Sequence, residues 1–451
     1  MTTDDSVDAF VRDLEARGKK HVKIGGFDVD GILRGKYVSL EKLRSALTGG
    51  FGFCDVIFGW DCADALYGTS SVTGWERGFP DALAVLDRST LRDVPWEPGV
   101  AAMLADFRDE SGAPHPACPR SLLKTVKARA ESMGYEPRFS CEFEFFLFRE
   151  SADSLRDKGF ASLEPLSPGM FGYSWVRSGQ HRELMASILA DMEAFGIDIE
   201  GLHTETGPGV YEVAIRYDDI LRAADSAALF KVAMKQIAHE HGLTVTFMAK
   251  WNASLPGCGG HVHQSLWKDG KNVFHSPDPK DLAPALRHYT GGLLSLMPEL
   301  TAMVSPFVNS YKRYVPGVWA PLTASWGVEN RTASVRLIGL DSAKSARIEF
   351  RQPAADLNPY LGMAMSLAAG LHGIEHGIEP RPIAHGDASS EGEPLPRTLT
   401  EATERFAAST RARELFGARF VDHYAHTRRW ETREYERAVT DWELKRYFEA
   451  V

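Results

Sequence analysis

The sequence has no hydrophobic run long enough to cross a membrane. Its longest apolar stretches, such as residues 363–371, fall well short of the roughly 20 residues that a spanning helix needs. The first residues are acidic (Asp4, Asp5 and Asp8) and lack the basic-then-apolar order of a secretory signal peptide. We therefore expect a cytoplasmic protein with no membrane partner.

The sequence also has few cysteines and no net positive charge. The 451 residues include five cysteines, at positions 54, 62, 118, 141 and 258, and no two of them form a CxxC pair. This spacing excludes a small disulfide framework. The formal net charge of -10 argues against a nucleic-acid partner, because affinity for a phosphate backbone depends on clustered Lys and Arg. A nucleotide needs only a local basic pocket and remains compatible with this charge.

Three sequence motifs that commonly bind or transfer phosphate are missing. There is no GxxxxGK[ST] loop, no GxGxxG after a strand, and no HRD and DFG pair. A nucleotide bound to this chain must therefore be held by metal ions and arginines rather than by a glycine-rich loop.

What is present is the composition of a soluble globular protein, with 44% hydrophobic and 25% charged residues. A chain of 451 residues is too long for one small core, so two domains are expected. Three prolines in SGAPHPACP, residues 111–119, predict a linker. We place the boundary there, with an N-terminal domain at 1–112 and a catalytic domain at 113–451, in the α+β class.

Apolar periodicity predicts several helices and a hairpin. Spacing typical of helices occurs at 121–133, 184–195, 223–239 and 359–374, and again in the charged C-terminal segment 402–451. Asp30-Gly31, between two alternating runs, predicts a two-residue hairpin turn. These elements support the fold class and carry no function by themselves.

The most informative pattern is charge that recurs at every second position of strand-like runs. In FSCEFEFFLF, residues 139–148, Glu142 and Glu144 share the face opposite the apolar side chains. Two adjacent carboxylates in such a run repel each other unless a cation compensates them. The same design recurs in VYEVAIR with Glu212, in GGHVHQS with His261, His263 and Ser265, and in ARIEFR with Arg347, Glu349 and Arg351.

A single strand of this kind could equally well belong to a sheet with one solvent-exposed face. Four such strands together predict a polar face that holds metal sites and a group of anion-binding arginines. Its candidate ligands, five glutamates and one histidine, suit Mg²⁺ or Mn²⁺ better than zinc, which favours more Cys and His. Arginines beside such metals indicate phosphoryl transfer, where neutralisation of phosphate charge supplies most of the catalysis.

These strands, in this order, resemble the glutamine synthetase family. The resemblance spans nearly the whole chain and is densest in CEFEFFLF, EVAIRY, GGHVHQSL, NSYKRYVPG, NRTASVR and KSARIEFR. It implies a small N-terminal β-grasp-like domain and a catalytic domain with a curved antiparallel sheet. It also implies a homo-oligomeric ring, a hexamer or dodecamer, with each site between subunits.

The resemblance implies two or more Mg²⁺ or Mn²⁺ ions per site, with ATP as co-substrate. The implied ligands of the first ion are Glu144, Glu205 and Glu212, and those of the second are Glu142, His261 and Glu349. The reaction implied has two steps. The side-chain carboxylate of glutamate attacks ATP to give γ-glutamyl phosphate, and a nitrogen nucleophile then displaces the phosphate.

Other positions are assigned through the same resemblance. Glutamate is implied to contact Arg313, Arg351, Gly257 and Glu144. The implied phosphate and nucleotide contacts are Arg331, Arg336, Arg347, Lys344, His263, Ser265 and Tyr217. Among the arginines, Arg331 and Arg313 are implied to act in catalysis by stabilising the oxyanions of both steps.

Three positions depart from the family pattern. Trp319 stands where the family usually carries a glutamate that accepts the ammonium proton. Gly68, in the stretch Tyr67-Gly68-Thr69-Ser70-Ser71, stands where the family has an aspartate, although Asp64 or Asp61 could supply that carboxylate. Pro256 replaces an asparagine in the glycine loop.

An ammonium ion is strongly hydrated, and its capture from water generally needs carboxylates. We therefore expect a ligase that joins glutamate to an organic amine, with Trp319 lining the amine pocket and Asp64 as the candidate base. Ordinary glutamine synthetase, using ammonia, is the alternative. A polyamine is less attractive, since a second cationic end needs acidic partners. A catalytically inactive structural relative is less compatible with the full set of ligands and arginines.

Overall fold

The computed structural model describes residues 3–68, 70, 72–278 and 281–451. Thr69 and Ser71, which belong to the stretch compared above with the family's aspartate segment, lie outside the described residues.

The N-terminal part of the chain folds around a mixed sheet with strand order β2-β1-β6-β4-β3, in which β5 also pairs with β6. Strands β1 and β6 run parallel, and the other pairs are antiparallel. Helix α1 is amphipathic, and its apolar side chains Val7, Val11 and Leu14 are buried. The elements are α1 (Thr3–Ala16), β1 (His21–Phe27), β2 (Leu33–Ser39), α2 (Leu40–Gly49), β3 (Phe51–Cys54), β4 (Asp81–Leu86), β5 (Arg92–Asp93) and β6 (Val100–Arg108). The β-grasp assignment and the domain boundary remain predictions.

The hairpin predicted around Asp30-Gly31 is present as β1 and β2, but its turn is longer than expected. Five residues, 28–32, join the strands, and the Asp28 N–H donates to the Ile32 carbonyl at 3.0 Å. The Asp28 carboxylate also accepts from the backbone N–H groups of Asp30 and Ile32. This aspartate organises the loop, so the prediction of a two-residue turn was wrong.

The larger part of the chain is built on a curled sheet with the order β15-β16-β17-β12-β7-β9-β8. Short strands β10 and β11 pair with β7, and β13 pairs with β12. All pairs are antiparallel except β15 with β16. The strands are β7 (Glu136–Phe148), β8 (Ile199–Thr204), β9 (Val210–Ile215), β10 (Asp218–Asp219), β11 (Thr244–Thr246), β12 (Gly260–Lys268), β13 (Lys271–Asn272), β14 (Thr323–Ala324), β15 (Trp326–Val328), β16 (Val335–Ile338), β17 (Arg347–Phe350) and β18 (Glu393–Pro394), with β14 and β18 forming a separate pair.

Helices cover the apolar face of this sheet. On β7 the side chains of Phe143 and Phe145 are fully buried, and both rings lie against Phe230 of α7. The predicted helices are confirmed with shifts of a few residues at most of their ends. The helices are α3 (Pro119–Ser132), α4 (Ala152–Asp157), α5 (Trp175–Gln180), α6 (Arg182–Ala194), α7 (Ile220–Glu240), α8 (Pro284–Leu300), α9 (Pro359–His376), α10 (Leu399–Ala408), α11 (Thr410–Phe416), α12 (Ala418–Arg437) and α13 (Asp441–Tyr447).

Helix α12 connects the C-terminal end of the chain to the N-terminal sheet. The Arg428 guanidinium is 1% exposed and pairs with the equally buried Asp30 carboxylate, while its Nη1 donates to the Pro306 carbonyl at 2.6 Å. Two residues further on, the Trp430 indole N–H donates to Asp61 at 2.9 Å. Several polar contacts, at least one of them fully buried, therefore join the first and last parts of the chain.

Among the described residues, no helix is both long enough and apolar enough to span a bilayer.

Candidate active site

Strand register gathers the predicted site residues on one face of the large sheet. Glu142 on β7 lies opposite His261 on β12, and His263 lies opposite Glu349 on β17. Glu144 lies opposite Glu212 on β9. Directly opposed residues of antiparallel strands project to the same face about 5 Å apart. The two-residue alternation in the sequence therefore becomes a continuous polar surface across neighbouring strands.

The first group on this surface is Glu142, His261 and Glu349. The His261 Nδ1 atom is 3.2 Å from a Glu142 oxygen and 3.4 Å from a Glu349 oxygen. One donor atom from each residue falls within 4.8 Å of the others. The opposite nitrogen of the ring, His261 Nε2, is buried without a hydrogen-bond partner among the described residues. The convergence of one imidazole nitrogen with two carboxylates fits a divalent cation, as the resemblance implied.

Electrostatics keeps these two carboxylates ionised. Burial raises the pKa of Glu349, but His261, Arg351 and His263 together lower it to about 2. Burial likewise raises the pKa of Glu142, and contacts with His261 and His263 bring it well below its ordinary value. Both groups are therefore present as the anionic form that a metal ion needs.

The second group contains a residue that sequence reasoning missed. His203 on β8 lies opposite Glu212, with its Nε2 3.1 Å from a Glu212 oxygen and its Nδ1 3.7 Å from a Glu205 oxygen. These three residues again place one donor atom each within 4.8 Å. The available signal was its position two residues before Glu205, in the same alternation as the other ligands.

Negative charge at this second group is only partly compensated, by His203. Burial raises the pKa of Glu212 to about 8; the hydrogen bond with His203 opposes this rise. The carboxylates of Glu142 and Glu144 reinforce it by repulsion. A divalent cation would relieve this repulsion, so the group fits the first metal site that the resemblance implied.

Glu144 is in the predicted row, but its carboxylate accepts a hydrogen bond from the Gly259 N–H. Gly259 is required here, because a Cβ atom at this position would lie 2.5 Å from His261 Nε2 and 3.0 Å from Arg313 Nη2. Gly257 is similarly confined, since its Cβ would lie 3.0 Å from Arg313 Cγ. The glycine loop therefore passes directly over Arg313. The assignments of Glu144 as a metal ligand and of Gly257 as a substrate contact remain predictions.

Two predicted substrate arginines are buried beside the carboxylates. Arg313, 5% exposed at the end of the 3₁₀ helix Val308–Arg313, donates to the Gln352 and Arg351 carbonyls at 3.1 and 3.4 Å. Arg351 pairs with Glu349, and its Nε donates to the Arg331 carbonyl at 3.1 Å. Burial lowers the pKa of Arg313, and the nearby Glu144 opposes that shift.

Apart from Arg331, which does not line it, five of the six predicted phosphate and nucleotide contacts line one cavity of about 240 Å³ beside the first group, together with Glu142. Within it, Arg347 Nε donates to His263 Nδ1 at 3.2 Å. The five are Tyr217, His263, Ser265, Lys344 and Arg347. The sixth, Arg336, instead donates to Glu349 at 3.0 Å.

The predicted amine-site residues are not brought to this surface. Trp319 lies on a turn, 67% exposed, and no described hydrogen bond, ion pair or ring contact joins it to the carboxylates. The Asp64 carboxylate accepts from Arg34 Nη1 at 2.6 Å. Asp61 accepts from Trp430 and from the N–H groups of Ala63 and Ala65. Both aspartates are thus engaged within the N-terminal sheet and its contact with α12.

An aromatic segment borders the second group instead. The Tyr173 ring stacks on His203 with centroids 4.4 Å apart, and Tyr173 has a φ of 54°. Its N–H donates to the Thr204 carbonyl at 2.7 Å, which holds this strained conformation in place. Phe171 and Trp175, on either side, are 45% and 92% exposed. Sequence periodicity gave no indication of this segment.

Comparison with known proteins agrees with the geometry. Residues 116–447 match the family model described as "Glutamine synthetase, catalytic domain". A type-1 glutamine synthetase of Dictyostelium discoideum is 45% identical over 98% of this chain and 86% of its own length. A glutamate–isopropylamine ligase of Pseudomonas sp. is 39% identical over 98% of both chains. A gamma-glutamylethanolamide synthetase of Streptomyces coelicolor is 36% identical over 94% of this chain and 91% of its own.

A solved structure named as a GmaS/ADP complex superposes with a TM-score of 0.85 at 31% identity. The match covers 97% of this chain and 99% of that structure. Sequence and fold agree: the chain belongs to the glutamine synthetase family, whose members are ATP-dependent ligases that form carbon–nitrogen bonds on glutamate.

Proposed function

We propose that this protein joins the γ-carboxyl group of glutamate to a primary organic amine through γ-glutamyl phosphate. The observation that carries the proposal is the aromatic segment beside the second carboxylate group. Tyr173 stacks on His203, whose ring nitrogens face the Glu205 and Glu212 carboxylates, so an aromatic ring lies beside this group. An apolar amine gains about 0.8 kcal/mol for each CH₂ group buried against such a surface.

The departures from the family pattern support the same conclusion. By the family resemblance, Trp319 and Gly68 stand at positions where the family has acidic residues. Asp61, one candidate replacement, is buried and accepts hydrogen bonds from Trp430 and from the N–H groups of Ala63 and Ala65. Two of the relatives have names that refer to organic amines or their products: one is a glutamate–isopropylamine ligase and the other is a gamma-glutamylethanolamide synthetase. Ammonia is the second candidate nucleophile, because a relative that is 45% identical is named as a glutamine synthetase.

In the proposed reaction Arg313 and Arg351 hold the carboxylates of glutamate. The γ-carboxylate attacks the terminal phosphorus of ATP, and ADP leaves. The amine then attacks the acyl carbon, inorganic phosphate leaves, and the amine nitrogen gives up a proton. Bound divalent ions would neutralise phosphate charge at the two groups of ligands. Arg331 and Arg336 would add positive charge on the same face, where fixed charge stabilises the developing oxyanions.

Asp64 is the proposed acceptor of the amine proton, and its position in the N-terminal part of the chain agrees with a site that is completed by a second copy. We therefore also propose the homo-oligomeric ring, of six or twelve chains, that the family resemblance implies. In that arrangement the Asp64 segment of one chain would reach the carboxylate face of its neighbour.

The nucleophile can be tested directly with purified protein, ATP, Mg²⁺ and glutamate. We expect kcat/KM, measured as phosphate release, to be higher for isopropylamine, ethanolamine or benzylamine than for ammonia. With three or four carbons buried, the preference should reach about 60- to 200-fold. If ammonia is the best substrate of the series, the organic-amine proposal is wrong and the protein is an ordinary glutamine synthetase.

Arg313→Ala tests the glutamate site. Loss of one charge-assisted contact, about 1.5–3 kcal/mol, should raise the KM for glutamate about 10- to 150-fold and change the KM for ATP far less. Arg381→Ala, which removes an exposed arginine paired with Glu393, is the control for loss of charge. A damaged ATP KM with an unchanged glutamate KM would show that Arg313 serves the nucleotide instead.

A further inference from the structure

A third group of metal-type ligands lies outside the active site, in the last turns of α9. His372, Glu375 and His376 are spaced at i, i+3 and i+4, which places them on one face of the helix. The two imidazole rings lie with their centroids 4.1 Å apart. One donor atom from each of the three residues falls within 4.8 Å of the others. None of the residues takes part in the site described above.

Both exposed members of this group are held in orientations suited to ligation. His376 Nδ1 lies 2.9 Å from the backbone carbonyl of His372, so this nitrogen donates its hydrogen and the Nε2 lone pair remains available. Arg129 of α3 donates two hydrogen bonds to the Glu375 carboxylate, one from Nε at 3.2 Å and one from Nη2. Histidine and carboxylate ligands of metals commonly have such outer hydrogen-bond partners, which fix the tautomer and the orientation.

The solvent exposure of this group and its position at the C-terminal end of α9 also suit a cation. His372 is 6% exposed, whereas Glu375 and His376 face solvent, so the group is an open niche rather than a sealed cavity. The helix ends here at Gly377, which has a φ of 59°. The negative end of the helix dipole favours a positive charge in this last turn. The carboxylate can bind a cation while it is paired with Arg129, because its two oxygens offer about four acceptor positions.

The geometry points to a second type of metal site, in which His372, Glu375 and His376 bind a zinc-type transition-metal ion. Two imidazoles and one carboxylate form a donor set for Zn²⁺ rather than Mg²⁺, which prefers oxygen ligands. Three protein ligands leave one position of a tetrahedral ion to water. Because Glu375 is paired with Arg129, the bound ion would join the ends of α9 and α3.

Equilibrium dialysis against Zn²⁺, with Mg²⁺ in large excess to occupy the active site, tests the site. The full-length protein should bind one more equivalent of Zn²⁺ per chain than His376→Ala. If the variant still binds Zn²⁺ at this group, its affinity should be at least about tenfold lower than that of the wild type. Tenfold is the low end of the loss expected when even an outer hydrogen-bond partner of a metal ligand is removed. His385→Ala, which removes an exposed histidine outside the group, should retain the wild-type stoichiometry.

Two further measurements guard against misinterpretation. Mg²⁺-dependent turnover of His376→Ala should match the wild type, which shows that the fold and the active site are intact. With Co²⁺ as the metal and Mg²⁺ in large excess, the wild type should give more visible ligand-field absorption from nitrogen ligation than His376→Ala and His376→Gln, which lose this group but keep His203 and His261. Equal Zn²⁺ stoichiometry and equal Co²⁺ spectra in wild type and both variants would overturn the proposal.

Discussion

Glu349→Ala should lower kcat by about 10³-fold or more. Glu349 is 2% exposed and lies between His261, Arg336 and Arg351, so its carboxylate is the anionic centre of the first group. A metal ion at a transferring phosphoryl group supplies several kcal/mol of charge stabilisation, and about 4 kcal/mol corresponds to about 10³-fold in rate. Glu142→Ala should have a similar effect, because it removes the other carboxylate from the same ion.

Loss of the metal must be separated from loss of the fold, since both variants leave buried cations without a partner. Mn²⁺ binding, followed by the electron paramagnetic resonance of the free ion, should fall in both variants while far-ultraviolet circular dichroism stays unchanged. Glu136→Ala, at the exposed start of the same strand β7, is the matched control. Near-normal turnover of Glu349→Ala at ordinary Mg²⁺ concentration would refute the metal assignment.

Trp319→Glu should move the preference of the enzyme toward ammonia. The turn that carries Trp319 follows the 3₁₀ helix ending at Arg313, so closure of this turn over glutamate would bring the indole to the amine. A glutamate there would attract ammonium and remove apolar contact with a larger amine. If the indole covers three carbons, the ratio of kcat/KM for ammonia to that for isopropylamine should rise about 60-fold.

Trp319→Phe is the matched control for this substitution, since it retains an apolar ring and adds no charge. It should keep the preference for the organic amine. If Trp319→Glu and Trp319→Phe have the same ratio as the wild type, the indole only packs the turn, and the amine pocket lies elsewhere. Tyr173 and its aromatic neighbours would then be the next residues to substitute.

The clustering of carboxylates and histidines on one face of the large sheet was predictable because strand periodicity is local. Glu142 and His261 alternate with apolar residues on their own strands, and only one face of each strand can be polar. Pairing of the strands then brings the two residues together without further information. The resemblance added the family, and the comparisons confirm it.

Other parts of the site could not be predicted in this way. His203 alternates with Glu205, but its strand is only weakly apolar, and its contact with Glu212 depends on the register of β8 against β9, which the sequence does not reveal. Tyr173 depends on a left-handed backbone conformation set by hydrogen bonds to Thr204, a residue 31 positions later. The turn at 28–32 was mispredicted because Asp28 caps the loop with its side chain, which favours a longer connection.

The buried pair of Arg428 and Asp30 has a consequence for how the protein is made. The two residues are 398 positions apart in the chain. At about 5–20 residues per second, Asp30 leaves the ribosome roughly 20–80 seconds before its partner is synthesised. During that interval the N-terminal sheet exists without helix α12, and Asp30 has no guanidinium to pair with. The buried contact between the N-terminal sheet and α12 therefore forms only near the end of translation, after most of the chain has been made.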